Sequence, residues 1–128
     1  MIEAQNICFE NGLTTVDQEG ISKKDIYLID SLQRKGLLKM RVYAMIENDP
    51  DAIDHFMDSG FLKTDLLNVR SVKVIADGAM GSRGAALNKY YSDQKGYKSA
   101  LLISKDSLKY CLSQFLILRN TAEEVSDA

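Results

Sequence analysis

The chain has 128 residues, 45% of them apolar and 27% charged, with one proline and a formal net charge of −2. That length fits one domain burying roughly two thirds of its unfolded surface, and that composition excludes disorder through most of it. Acids and bases are mixed without a basic cluster, no apolar run reaches the ~18 residues of a membrane span, and Glu3 breaks any signal-peptide pattern; nucleic acid and membrane are excluded as partners, and a cytoplasmic protein is expected.

Residues 2–10 read as a helix stopped by Gly12. "LTTVDQ", 13–18, is short and β-branched, which predicts a strand. Ser22 then reads as an N-cap with Asp25 three residues on, and Ile26, Ile29 and Leu32 follow at helical spacing until Gly36. "KMRVYAMI", 39–46, is a second strand. Asp49 and Pro50 open a short helix with Ile53, Phe56 and Met57 on one face, closed by Gly60. "VRSVKVIADG" supplies a third strand over 69–77, followed by a loop near 79–99. Ser104 opens a last helix with Leu108, Cys111, Leu112, Phe115 and Leu116 on one stripe. This divides the chain into a domain over 1–118 and a polar, frayed tail over 119–128.

Strands alternating with helices predict parallel pairing and an α/β fold. Two architectures fit: a small doubly wound sheet, or a partial (β/α)8 barrel. In both, chemistry gathers at the carboxyl ends of the strands. Those ends are polar here: Asp17–Gln18, Glu47–Asn48 and Asp77–Gly78. A barrel needs about 250 residues, and three parallel strands alone leave edges that a finished domain would cover. The pattern therefore fits part of a larger barrel better than a complete one.

Lys73 sits between Val72 and Val74 in the third strand. Unbroken alternation would put Val69, Ser71, Lys73 and Ile75 on one face. Two readings are open. Lys73 can snorkel from an exposed face. Alternatively it lies in a barrel lumen, where burial lowers its pKa and the neutral amine can take up carbon dioxide as a metal-bridging carbamate. The loop after it carries Gly78, Gly81, Gly84 and Arg83. Its spacing matches no nucleotide-binding motif. The glycines either permit positive φ or let backbone approach a ligand, while Arg83 offers a planar donor fork. Cys8, Cys111 and the single His55 form no zinc pattern and read as two reduced thiols and a surface histidine.

"GLTTVDQEG", "LLKMRVYAMI" and "VRSVKVIADGAMGSRGAAL" followed by "YYSD" resemble, in order and spacing, the middle of amidohydrolase family 3, the YtcJ-like metal-dependent hydrolases. The likeness runs over roughly residues 3–110, and the third block is the specific one. It implies a metal-dependent (β/α)8 barrel of which these strands are the second to fourth. It implies hydrolysis of C–N bonds in a small amide-type substrate. It also implies that Lys73, if carboxylated, bridges metal in the whole enzyme, that Asp77 orients a neighbour of that centre, and that Arg83 meets substrate. The family's cofactor is a divalent metal, with zinc the first expectation. The family's H-x-H motif and later metal histidines have no counterpart here, so no tightly bound metal and no activity are expected of this chain alone. His55 matches no family ligand, Tyr90 stands where the family has proline, and the likeness fades after Tyr110. Open barrel edges would favour self-association. Outside the family, the same residues read as a small non-catalytic anion-binding α/β module or a degraded gene product.

Overall fold

The computed structural model describes residues 1–113 and divides into two compact units, Met1–Lys73 and a second beginning at Val74. The first contains helices α1 (Ile2–Glu10), α2 (Lys23–Arg34) and α3 (Pro50–Ser59). Its strands are β1 (Thr15–Ile21), β2 (Arg41–Glu47), β3 (Leu62–Lys63) and β4 (Leu67–Lys73). The helix starts follow from local chemistry. Ser22 Oγ accepts the Asp25 amide at 3.2 Å and donates to the Asp25 carboxylate at 2.7 Å, so one pair of side chains satisfies an orphan donor of α2. Asp49 accepts the Ala52 amide at 3.1 Å, with Pro50 pre-set for the first turn of α3. Past the end of α2, Gly36 takes φ of 69°, and Leu37 N donates to Leu32 O at 3.0 Å.

The four strands form one mixed sheet in the order β1-β2-β4-β3. β2 pairs in parallel with β1 on one side and β4 on the other, as the alternation of strands and helices predicts. β3 was not legible. It pairs antiparallel with β4 through Leu62–Val69 and Lys63–Asn68, so the edge expected to be bare is covered over two residues. The third strand also ends at Lys73 rather than 77. Its partner β2 stops at Glu47, opposite Lys73, and the Ala76 carbonyl turns instead to Leu102 N at 2.9 Å.

Both neighbours of β2 carry a β-bulge at the same level. In β1 the register skips Gly20, between Glu19 opposite Met45 and Ile21 opposite Ile46. In β4 it skips Arg70, between Val69 opposite Ala44 and Ser71 opposite Met45. Side chains alternate along a strand, so each extra residue moves everything after it to the other face. The bulge at Gly20 brings Ile21 into the core. The bulge at Arg70 leaves Val69 fully buried but sends Ser71 and Lys73 to the opposite face. This corrects the expectation that Val69, Ser71 and Lys73 share a face.

The core lies on one side of the sheet. Val42, Ala44 and Ile46 of β2 meet Ile26 and Ile29 of α2 and Ala52 and Phe56 of α3, all buried. Two buried amides tie the start of β2 to its surroundings. Gln5 of α1 accepts from the backbone amides of Lys39 and Met40. Gln33 of α2 donates to the carbonyls of Met40 and Leu66 at 3.0 and 3.1 Å. A buried carbonyl that loses its donor costs about 1–3 kcal/mol. Gln33→Leu, which keeps the volume and removes the donor, should therefore lower stability by about that amount in urea unfolding. A variant as stable as the parent would show the amide to be dispensable.

The second unit is irregular from 74 to 104, apart from a 3-10 turn at Met80–Ser82 and a bridge between Tyr91 and Gln94. The last helix is seen over 105–113, and Ser104 Oγ accepts the Ser107 amide at 3.0 Å at its start. Cys111 is buried and Leu108 half-buried, but Leu112 is exposed, so the expected apolar stripe is narrower than its spacing implied. Phe115, Leu116, the boundary at 118 and the tail over 119–128 lie outside the described residues. Among the described residues, no helix is long and apolar enough to cross a membrane.

Candidate functional site

The face of the first unit's sheet opposite the core is polar toward the carboxyl ends of its strands, apart from Met45 of β2, which pairs with Glu19 on one side and Ser71 on the other. Asp17 and Glu19 of β1, Tyr43 and Glu47 of β2, and Ser71 and Lys73 of β4 alternate with core residues, and none joins the core cluster. Lys73 is half-buried rather than enclosed, with 37% of its side chain exposed. Its Nζ donates to Glu19 Oε2 at 2.5 Å. The stem crosses toward β1 and packs over Gly20, where a Cβ would meet Lys73 Cγ at 3.5 Å, an ordinary contact distance. Lys73 is thus neither a free surface amine nor a sequestered one; a carboxylate two strands away holds it.

Beneath Lys73 the same face carries two polar atoms that sequence reading did not single out. Asn68 Oδ1 and Ser71 Oγ are buried without a hydrogen-bond partner in the protein. Each such atom costs about 1–3 kcal/mol. A serine and an asparagine on a strand carry no motif, and their position depends on the bulge at Arg70. Among the described residues, no three His, Cys, Asp or Glu side chains converge to hold a metal ion. With the Lys73 amine bonded to Glu19, the described residues do not by themselves fit a metal site.

In the second unit, Asp77 and Arg83 each have a structural partner. Asp77 Oδ2 accepts the Ala86 amide at 2.8 Å, pinning the two ends of the glycine loop. One oxygen of Asp93 accepts from both Nε and Nη2 of Arg83, at 3.1 and 2.9 Å, in an exposed pair. That hydrogen bond holds the Asp93 carboxyl below its ordinary range. Positive φ, one of the two readings open for the loop glycines, falls on Arg83 instead, at 58°, where its amide closes the 3-10 turn on Met80 O. His55 belongs to the first unit, on α3, where it meets the Tyr27 hydroxyl at 2.8 Å and the Phe56 ring edge-on.

Gly78 and Gly84 serve close backbone approach, with the loop's own backbone as the partner. Gly78 N donates to Gly84 O at 3.0 Å, and Gly84 N to Ala79 O at 2.9 Å. A Cβ at Gly78 would stand 2.8 Å from Gly84 Cα, and one at Gly84 would stand 3.0 Å from Gly78 Cα. Gly81 has open space around it. Overpacking of this kind costs about 1–3 kcal/mol. Gly78→Ala and Gly84→Ala should each open the loop and speed proteolytic cleavage between residues 79 and 99, whereas Gly81→Ala should leave the cleavage rate unchanged.

Two solved structures are similar to this chain in fold. An uncharacterized metal-dependent hydrolase from Pyrococcus furiosus is 26% identical, with a TM-score of 0.79 over 91% of this chain and 25% of that one. An uncharacterized metal-dependent hydrolase from Pyrococcus horikoshii OT3 is 25% identical, with a TM-score of 0.80 over 91% of this chain and 24% of its own. The chain spans about a quarter of the length of these structures. No protein-family model and no curated protein matches it. The likenesses support a relationship to metal-dependent hydrolases within an α/β fold whose sheet is mostly parallel.

Proposed function

We propose that this chain is the central part, about strands two to four, of a (β/α)8 amidohydrolase that cleaves C–N bonds in small amide-type substrates with a divalent metal, zinc in the first place. The observation that carries the reading is the row of parallel strands β1, β2 and β4 with helices packed on one face and polar side chains on the other. It is supported by the two metal-dependent hydrolases that match over a quarter of their length. In this reading the polar face is the wall of a barrel lumen. Lys73 is the residue the chain supplies toward the metal centre, the carboxylated form being the one that would bridge. Asp77 orients the loop that leaves the barrel strand, by its bond to Ala86 N. Arg83 presents its guanidinium to substrate, with Asp93 fixing the plane of the donor fork.

The chain's own residues then account for binding and orientation, while hydrolysis belongs to the whole protein. Expressed with the flanking segments of a complete barrel, the protein should hydrolyse N-acyl amides. Lys73→Ala should reduce kcat by more than the roughly 10–100-fold typical of losing a partner outside the ligand set. Undiminished hydrolysis in that variant would remove Lys73 from the centre.

The 128-residue chain by itself tests the barrel reading. The outer edge of β1 has no strand paired to it among the described residues, and β3 covers only two residues of the other side. Open edges and a wet lumen face should make the chain oligomeric, or broad and concentration-dependent in its thermal unfolding. Size-exclusion chromatography with calorimetry reads both. A monomer with a sharp, reversible, concentration-independent transition would favour a self-contained anion-binding module instead.

A further inference from the structure

We propose that Glu19 and Gly20 of β1 form a slot that positions the Lys73 amine, with Glu19 as its carboxylate clasp. The inference deepens the reading of Lys73 as the working residue of the polar face, but the clasp is tested without metal, substrate or turnover. Three features meet at this point, two of them at Gly20. The bulge at Arg70 turns Lys73 onto the polar face. The bulge at Gly20, with φ of 71°, interrupts the pairing of β1 directly after Glu19, before it resumes at Ile21. The Lys73 stem packs over this residue, its Cγ and Cβ 3.5 and 3.7 Å from where a Cβ of Gly20 would stand, an ordinary contact distance, and it is the positive φ that reserves the position for glycine.

The choice of partner is specific. Glu47 is the in-register neighbour of Lys73 on the adjoining strand, yet Nζ passes it and bonds to Glu19, 54 residues away in sequence and on the next strand over. A lysine with four rotatable stem bonds has many positions on a half-open face, and one held contact selects among them. The amine is therefore presented in one place, and any reaction at that nitrogen requires Glu19 to let go. Glu19 is a positioning residue in this sense; it acts through Lys73.

Cyanate, which carbamoylates free amines, reads the clasp when modification is mapped lysine by lysine by mass spectrometry on the folded 128-residue chain. Lys73 should react more slowly than the exposed Lys24 and Lys63. In Glu19→Gln its rate should rise about two- to fivefold, the factor a half-exposed ion pair supports, with Lys24 and Lys63 unchanged. Glu19→Asp keeps the charge but withdraws the carboxylate by one methylene, and it should release Lys73 as well. An unchanged Lys73 rate in Glu19→Gln overturns the clasp. A rise shared by all lysines overturns it too, because releasing a specific contact changes one amine. Protection retained in Glu19→Asp overturns the slot, because a diffuse field rather than a held contact would then be responsible. The hydrolase reading can fail on activity while the clasp stands, and the reverse also holds.

Discussion

The arrangement of the first unit depends on β2 being the regular strand between two irregular ones. β1 and β4 each insert one residue beside Met45, Gly20 on one side and Arg70 on the other. Because a strand alternates its side chains with period two, one extra residue exchanges core and surface for all that follow. Without the insertion in β4, Lys73 would be driven toward the helices, into a core built from Ile, Val and Phe, where an ammonium has no partner. Without the insertion in β1, Ile21 would leave that core. The two bulges therefore allow an apolar lower half and a polar upper end on the same three strands.

The bulges also explain why the polar end is organised rather than merely exposed. A bulge sharpens local twist and bends its strand. With both flanking strands bulged at one level, residues separated by an intervening strand come within reach, and the Lys73–Glu19 contact crosses β2. An exposed pair of this kind contributes little to stability by itself. Its consequence is orientation: a flexible amine acquires a defined position. The buried, unpartnered atoms of Asn68 and Ser71 below it are a cost the fold carries on the same face.

The second unit solves a different problem by similar economy. Its long loop has few side chains to pack, so backbone packs on backbone. Gly78 and Gly84 approach too closely for any Cβ, Asp77 pins the far end through Ala86 N, and the Tyr91 hydroxyl bonds the buried Ala85 at 3.0 Å. The left-handed residue this requires is Arg83, which offsets the unfavourable φ only in part through its turn bond to Met80 and its pairing with Asp93. At this turn the Arg83 guanidinium stands exposed and paired with Asp93.

By itself the sequence determined the helix starts and stops, because caps and positive-φ glycines act within a few residues: Ser22 with Asp25, Asp49 with Ala52, Gly36 after α2. It determined the parallel order of β1, β2 and β4, because strands separated by helical segments have few other ways to pair. Lys73 as a residue out of place in an apolar run was legible too. Tertiary structure alone decided where that lysine points. Gly20 and Arg70 look like any glycine and any exposed arginine until a neighbouring strand fixes the register, so the alternation read from sequence placed Val69 and Lys73 together when they lie on opposite faces. β3 was too short to leave a period. The partner of Lys73 was invisible for the same reason: 54 residues and a whole strand separate it from Glu19, and only the pairing of three strands brings the two together.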